Sequence, residues 1–258
     1  MTWDPATYLA YADERGRPFL DLLARVDADP DAVVELGCGP GQLSPVLRAR
    51  WPRARVLGVD SSAAMIDRAR ADDADPRTTY ELADVATWEP EAPVDVIVSN
   101  ALFQWVPEPL DVVERLAAHV RPGGTFALQV PGNFDAPSHR LLHELAGREP
   151  YAAHTQGLDV ARGTELSAWF ERFAGLGWAV DAWETTYLHV LPGDDPVFDW
   201  IRGTGARPVL QALPDDLRAD FEREYRAALR EAYPRRPWGT VLPFRRLFCV
   251  ARRPAEVR

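Results

Sequence analysis

An α/β fold built around one mostly parallel sheet is what the sequence predicts, on three observations. Through residue 130, apolar runs of strand length alternate with longer stretches of helical periodicity, the layout in which a crossover helix returns the chain to a parallel neighbour. A glycine-rich turn, Gly37 to Gly41, joins the first of these runs directly to a helical stretch. Acidic residues, Glu35, Asp60 and Asp84, fall at or near the ends of three successive runs. Ligands of such sheets sit at the carboxyl ends of the strands.

The elements follow in order. A helix over Pro18 to Val26 leads into a first strand, Val33 to Gly37, and Gln42 to Arg50 then returns the chain. Arg55 to Asp60 reads as the second strand, Ser62 to Arg70 as a helix and Thr79 to Leu82 as a short third strand. Val94 to Ser99 is the fourth, Pro109 to His119 the helix after it, and Thr125 to Val130 the fifth strand. Arg121-Pro122-Gly123-Gly124 reads as a turn between the last two, because Pro and Gly punctuate regular structure. Beyond residue 130 the rhythm changes: 135–175 is helical and amphipathic, Trp178 to Val190 a sixth strand, 194–232 helical again and Phe244 to Ala251 the last strand. One domain over 1–258 is expected, with a core of about 18–130 plus 178–190 and 244–252 and with 131–177 and 191–243 as insertions capping the sheet.

Composition narrows the function. No run of about 18 uncharged apolar residues exists, and the first twenty residues lack the order of a secretory signal, so a soluble, cytoplasmic protein is expected. Cys38 and Cys249 belong to no C-x-x-C pair and suit a reducing compartment. A net charge of −10 repels a phosphate backbone and speaks against nucleic acid as a partner. The charge is uneven: residues 1–201 sum to −16, whereas 202–258 carry 13 Arg against 7 acids and sum to +6. His139 and His143 stand four apart, but no further carboxylate or Cys completes a metal pattern, and no G-x-S-x-G motif marks a nucleophile.

The turn carries the chemistry. Glycines at 37, 39 and 41 between a strand and a helix let the backbone bend sharply and approach a ligand closely. A dinucleotide fingerprint would need its third glycine at 42, which is Gln, and the Glu35 carboxylate is awkward beside a pyrophosphate. Both features suit a zwitterionic, cationic cofactor. The Gly37 carbonyl can accept its ammonium, Glu35 can order the loop or reach a bridging water, Asp60 can accept two ribose hydroxyls and Asp84 an adenine amine. The plainer alternative is that each acid only caps the helix that follows it.

Glu35-Leu36-Gly37-Cys38-Gly39-Pro40-Gly41, then Gly58-Val59-Asp60-Ser61-Ser62, Ala83-Asp84-Val85 and Ser99-Asn100-Ala101 resemble successive cofactor motifs of the class I methyltransferases. The resemblance implies a Rossmann-like fold: a mostly parallel seven-stranded sheet, helices on both faces and a helical cap inserted after strands 5 and 6. It implies S-adenosylmethionine as cofactor, lined further by Cys38, Gln42, Ser61, Met65, Val85, Asn100, Ala101 and Trp105. Trp3-Asp4-Pro5-x-x-Tyr8, Asn100 to Trp105, Trp200-x-x-x-Thr204-Gly205-x-Arg207-Pro208 and Arg246 to Arg253 resemble more narrowly the trans-aconitate 2-methyltransferase family. The narrower match implies methyl transfer to one carboxylate of trans-aconitate or a similar small polycarboxylate, giving a monomethyl ester. A carboxylate is already ionised at neutral pH, so no general base and no catalytic side chain is expected.

For the substrate, Arg is preferred for its planar fork. Arg207 and Arg246 are the first choices, followed by Arg15, with Arg17 and Arg202 in reserve. Tyr8, Gln104, Trp105 and Trp200 are expected to wall the site, with Trp3 and Trp238 as further aromatic candidates. A methyltransferase acting on a hydroxyl or carbon of another metabolite, which would need a base, and a non-catalytic cofactor-sensing module remain the competing readings.

Overall fold

The computed structural model describes residues 12–158 and 163–255, with side chains from residue 16 onward. Seven strands, β1 Ala32–Leu36, β2 Arg55–Asp60, β3 Thr78–Leu82, β4 Val94–Asn100, β5 Val120–Pro131, β6 Ala179–Leu191 and β7 Thr240–Arg252, form one sheet in the order β3-β2-β1-β4-β5-β7-β6. Pairs β1–β2, β2–β3, β1–β4 and β4–β5 are parallel. β7 runs antiparallel to β5: Gly123 N–H donates to the Arg253 carbonyl (3.1 Å) and Gly132 N–H to that of Arg245 (2.9 Å). The chain order thus reverses between β1 and β4, the switch point at which α/β sheets open a crevice for ligands.

The described helices are α1 Ala12–Leu23, α2 Ser44–Arg50, α3 Ala63–Asp72, α4 Pro109–Ala117, α5 Pro137–Ala146, α6 Ala152–Thr155, α7 Leu166–Gly175, α8 Pro196–Arg202, α9 Arg207–Ala212 and α10 Asp215–Ala232. None is long and apolar enough to cross a membrane. The chain divides into two compact units. Of the described residues, a core unit comprises those up to Val130, Thr164–Glu184 and those from Arg246 onward; a cap unit comprises those within 131–163 and Thr185–Arg245.

In the core unit, central strands are buried on both faces and read as continuous apolar runs: Val96, Ile97 and Val98 of β4 and Phe126, Ala127 and Leu128 of β5 are all inaccessible to solvent. α7 adds Trp169 and Phe173, whose rings lie 5.8 Å from Phe103 and 5.3 Å from Phe126. In the cap unit, α5 and α10 pack together, Tyr225 Oη–H donating to the Ser138 carbonyl (2.7 Å) while Tyr233 Oη accepts from Ser138 N–H (3.1 Å).

Three expectations from sequence are corrected. The turn at 121–124 is part of β5: the pairing jumps from Val94↔Val120 to Val96↔Thr125, so these residues form a bulge and the strand continues through it. Gly124 is required there, since a β-carbon would stand 2.6 Å from the Asp95 carbonyl. β7 begins at Thr240 rather than Phe244, and the strand passes through Pro243, which is exposed. α1 likewise runs through Pro18 instead of starting at it.

Candidate active site

The turn after β1 folds over a floor of hydrogen bonds. Gly37 and Cys38 both donate to the Val59 carbonyl (2.8 and 3.1 Å), which anchors the loop to the end of β2. Gly37, Gly39 and Gly41 have φ of +71°, +55° and +77°, a left-handed path that side chains resist. Their surroundings differ. A β-carbon on Gly37 would sit 2.9 Å from Leu102 Cβ and one on Gly41 2.7 Å from the Tyr80 hydroxyl, whereas one on Gly39 would meet nothing nearer than Gln42 Oε1 at 3.7 Å. Two glycines therefore serve close packing and only Gly39 opens onto free space. Beside that opening, Gln42 Oε1 is buried with no hydrogen-bond partner.

Asp60 closes β2 and ties the two loops together. Its Oδ2 accepts from Gly39 N–H and its Oδ1 from Ser62 N–H, both at 2.9 Å. Burial raises its pKa against the lowering effect of these backbone donors. A carboxylate has about four acceptor sites, so after two N–H bonds it retains capacity for a pair of hydroxyls.

Glu35 is 1% exposed on β1 and accepts from Ser44 Oγ–H (3.2 Å), joining the strand to α2. Burial, opposed by Ser44 and reinforced by the Asp60 charge, pushes its carboxyl up to about 8. A buried acid so close to titrating near neutrality is receptive to a cation.

The remaining cofactor candidates divide by exposure. Met65 and Val85 are buried, Ser61 and Asp84 exposed. Asp84 Oδ1 accepts from Ala86 N–H (2.9 Å) within a turn, and among the described residues no helix lies between β3 and β4 for it to cap. The Cys38 side chain packs with Ile66, Ala69 and Tyr80 beneath the loop, and burial raises its thiol pKa, so Cys38 has only its backbone to offer a ligand. After β4, Asn100 and Gln104 are each 8% exposed and Ala101 is left-handed (φ +58°). Gln104 Nε2 donates to the Ala101 carbonyl (2.7 Å) and its Oε1 is buried without a partner. Trp105 follows, partly exposed.

An open glycine, two buried amide oxygens without partners, a backbone-bound carboxylate and a buried acid thus fall on or just after β1, β2 and β4, three adjacent strands of the sheet. This donor and acceptor set fits a zwitterionic nucleoside cofactor.

The substrate candidates fall on both units. Arg207, the first residue of α9 in the cap unit, is 8% exposed and Arg246, on β7 in the core unit, is 6% exposed. Buried guanidinium groups are uncommon and need polar company. Arg202 instead pairs with Asp199 at the surface (3.7 Å), and Arg17 is exposed. Trp200 is buried and stacks on His189 (4.8 Å) beside Phe244 (5.6 Å), which makes it part of the cap unit's packing, while Trp238 is 67% exposed. Trp3 and Tyr8, and the side chain of Arg15, lie outside the described residues. Among the described residues no group of His, Cys, Asp and Glu could hold a metal.

Sequence reasoning missed Ser44, Tyr80 and Gln129. Tyr80 supports Gly41 from below, donating to Asp73 Oδ2 (2.8 Å) and pressing on Gly58, its partner in the β2–β3 register. The glycine inside strand β2 was the available signal, since such a glycine often marks close approach of another group.

Comparison with known proteins places this arrangement. Residues 8–176 match the family model of a methyltransferase domain. A trans-aconitate 2-methyltransferase of Streptomyces coelicolor is 49% identical over 98% of this chain and 87% of its own. One of Streptomyces avermitilis is 49% identical over 98% of both chains. Among solved structures, an S-adenosylmethionine-dependent methyltransferase of Mesorhizobium loti superposes with a TM-score of 0.52 at 20% identity, over 91% of this chain and 97% of that one. At that identity the likeness is one of fold.

Proposed function

Since this chain belongs to the trans-aconitate 2-methyltransferase family of S-adenosylmethionine-dependent enzymes, we propose that it methylates one carboxylate of trans-aconitate or a closely similar small polycarboxylate, releasing a monomethyl ester. One observation carries the reading: the 49% identity extends over 98% of the chain, far beyond the turn that every related fold would share.

The bound cofactor supplies a methyl group on a sulfonium, electrophilic enough for an ionised oxygen. This chain's residues supply binding and alignment. Gly39 leaves room for the ligand, Asp60 has acceptor capacity for the ribose hydroxyls, and Glu35 places an acid that ionises in response to positive charge. The acceptor oxygen is already an anion, so no side chain has to remove a proton. Holding the acceptor in line is worth up to about 7–11 kcal/mol of barrier, and excluding water from it adds to that. Arg207 and Arg246 are each proposed as a contact for a substrate carboxylate, with Gln104 and Trp105 as further contacts, in a cytoplasmic enzyme.

Incubation with methyl-labelled cofactor and a panel of di- and tricarboxylates tests this. The expected product is a base-labile ester, formed fastest from trans-aconitate. Label appearing only on hydroxyl or carbon acceptors, or no transfer to any acid, would overturn the assignment.

A further inference from the structure

The turn that follows β4 is knitted by amides. Asn100 and Gln129 are register partners on β4 and β5. Gln129 Nε2 donates to Asn100 Oδ1 (2.6 Å) and the Gln129 carbonyl accepts from Ala101 N–H (2.9 Å), so one residue holds both the side chain and the backbone of the turn. Gln104 closes it from the other side through the Ala101 carbonyl. Ala101 is thereby kept at φ +58°, a conformation that costs free energy for a residue with a β-carbon and persists only where its surroundings enforce it. The turn abuts the cofactor loop: Leu36 is the partner of Ser99, and Leu102 fills the space that a Gly37 side chain would need.

Gln129 is 1% exposed and its Oε1 has no hydrogen-bond partner. An apolar residue of the same length would avoid burying that oxygen, so stability does not explain the amide. Its bond to Asn100 does. With Oδ1 engaged, the other end of the Asn100 amide is Nδ2, which donates to no described residue.

We propose that Gln129 is a positioning residue that fixes the Asn100 amide with its N–H groups outward, as donors for a carboxylate at the carboxyl end of β4. Two carboxylates meet that description, the amino-acid end of the cofactor and the acceptor itself. The acceptor case rests on the function proposed above; the cofactor case does not.

Three variants test it. Asn100→Asp keeps the bond from Gln129 but replaces the donor by an anion. Gln129→Met removes the clamp. Gln129→Glu donates to Asn100 when protonated, and when ionised accepts from it and turns its oxygen outward. Each is assayed for melting temperature, for S-adenosylhomocysteine affinity by calorimetry, and for kcat and KM with trans-aconitate. Asn100→Asp is expected to lose at least tenfold in one carboxylate-dependent constant while melting within a few degrees of the parent. Loss in calorimetry assigns the donor to the cofactor, and loss confined to KM assigns it to the acceptor. Gln129→Glu is expected to worsen progressively from about pH 5.5 to 8.5 relative to Gln129→Met, because only its side chain changes from donor to acceptor over a carboxyl's titration. Affinity and KM within twofold of the parent in Asn100→Asp, or Gln129→Glu and Gln129→Met tracking each other at every pH, overturns the proposal. Parent enzyme that binds S-adenosylhomocysteine but esterifies no acid would instead count against the function proposed above.

Discussion

Individual residues of the turn carry separable duties, and substitutions should separate them. Asp60→Ala removes an acceptor bonded to Gly39 and Ser62 and, with it, the proposed ribose contact. A loss of about 2–4 kcal/mol in S-adenosylmethionine binding is expected. Unchanged calorimetric affinity in a folded variant would remove Asp60 from the site. Gly39→Val places a branched side chain in the open approach and should abolish binding. Gly41→Ala should act differently, because its β-carbon meets the Tyr80 hydroxyl and the damage falls on the melting temperature first. Glu35 adds a proton to the reaction with the ligand. Its carboxyl, raised to about 8, is mostly protonated at pH 7, and a cationic cofactor favours the ionised form. Binding near pH 7 should therefore release a proton, seen as a calorimetric enthalpy that varies with buffer ionisation enthalpy. The variation should vanish in Glu35→Gln. Without ligand, the protonated folded form is favoured, so Glu35's contribution to stability declines as pH rises from about its ordinary 4.5 through 8 and is constant above.

At the scale of elements, what was legible in the sequence was the periodicity and the glycine turn, because strand-length apolar runs and Gly37-x-Gly39-x-Gly41 are local signals. What escaped depended on register. Nothing local distinguishes Pro122-Gly123-Gly124 in a bulge from the same residues in a turn; the difference is made by β4, which skips from one partner to another. Nor could Tyr80 or Gln129 be singled out, since their roles exist only through Gly58 and Asn100 on neighbouring strands. Local charge and motif single out Arg207 and Arg246, and burial sets both apart from Arg202, which pairs with Asp199 at the surface. Helix α5 supplies a prediction of its own. Burial, aided by His143, lowers His139 to about 4 from its ordinary 6.5. The unfolded chain binds that proton more readily between those values, so stability should fall as pH drops from 6.5 to 4. Glu35 works in the opposite sense over the same range, so the check is a difference: denaturant unfolding at pH 7 and 5 should show the stability of the parent relative to His139→Gln falling as the pH drops.

For the molecule as a whole, substrate reading and cofactor holding should be separable. Arg207→Gln and Arg246→Gln are each expected to raise KM for trans-aconitate and lower kcat/KM roughly 10- to 150-fold, with cofactor affinity within about twofold. A dicarboxylate lacking the matching group should suffer less from the same change. Equal losses for every acid, accompanied by a lower melting temperature, would make the arginines structural. The sheet order has a consequence of another kind. β7 leaves the ribosome after the other six strands of the sheet, yet it lies between β5 and β6, with Leu247, Phe248, Cys249 and Ala251 buried. At about 5–20 residues per second, translation must reach the far end of β7 before β6 has a neighbour at all. Throughout that interval β5 and β6 lack the strand that joins them, and a message cut short before Thr240 would yield a polypeptide with an intact glycine turn and no completed sheet.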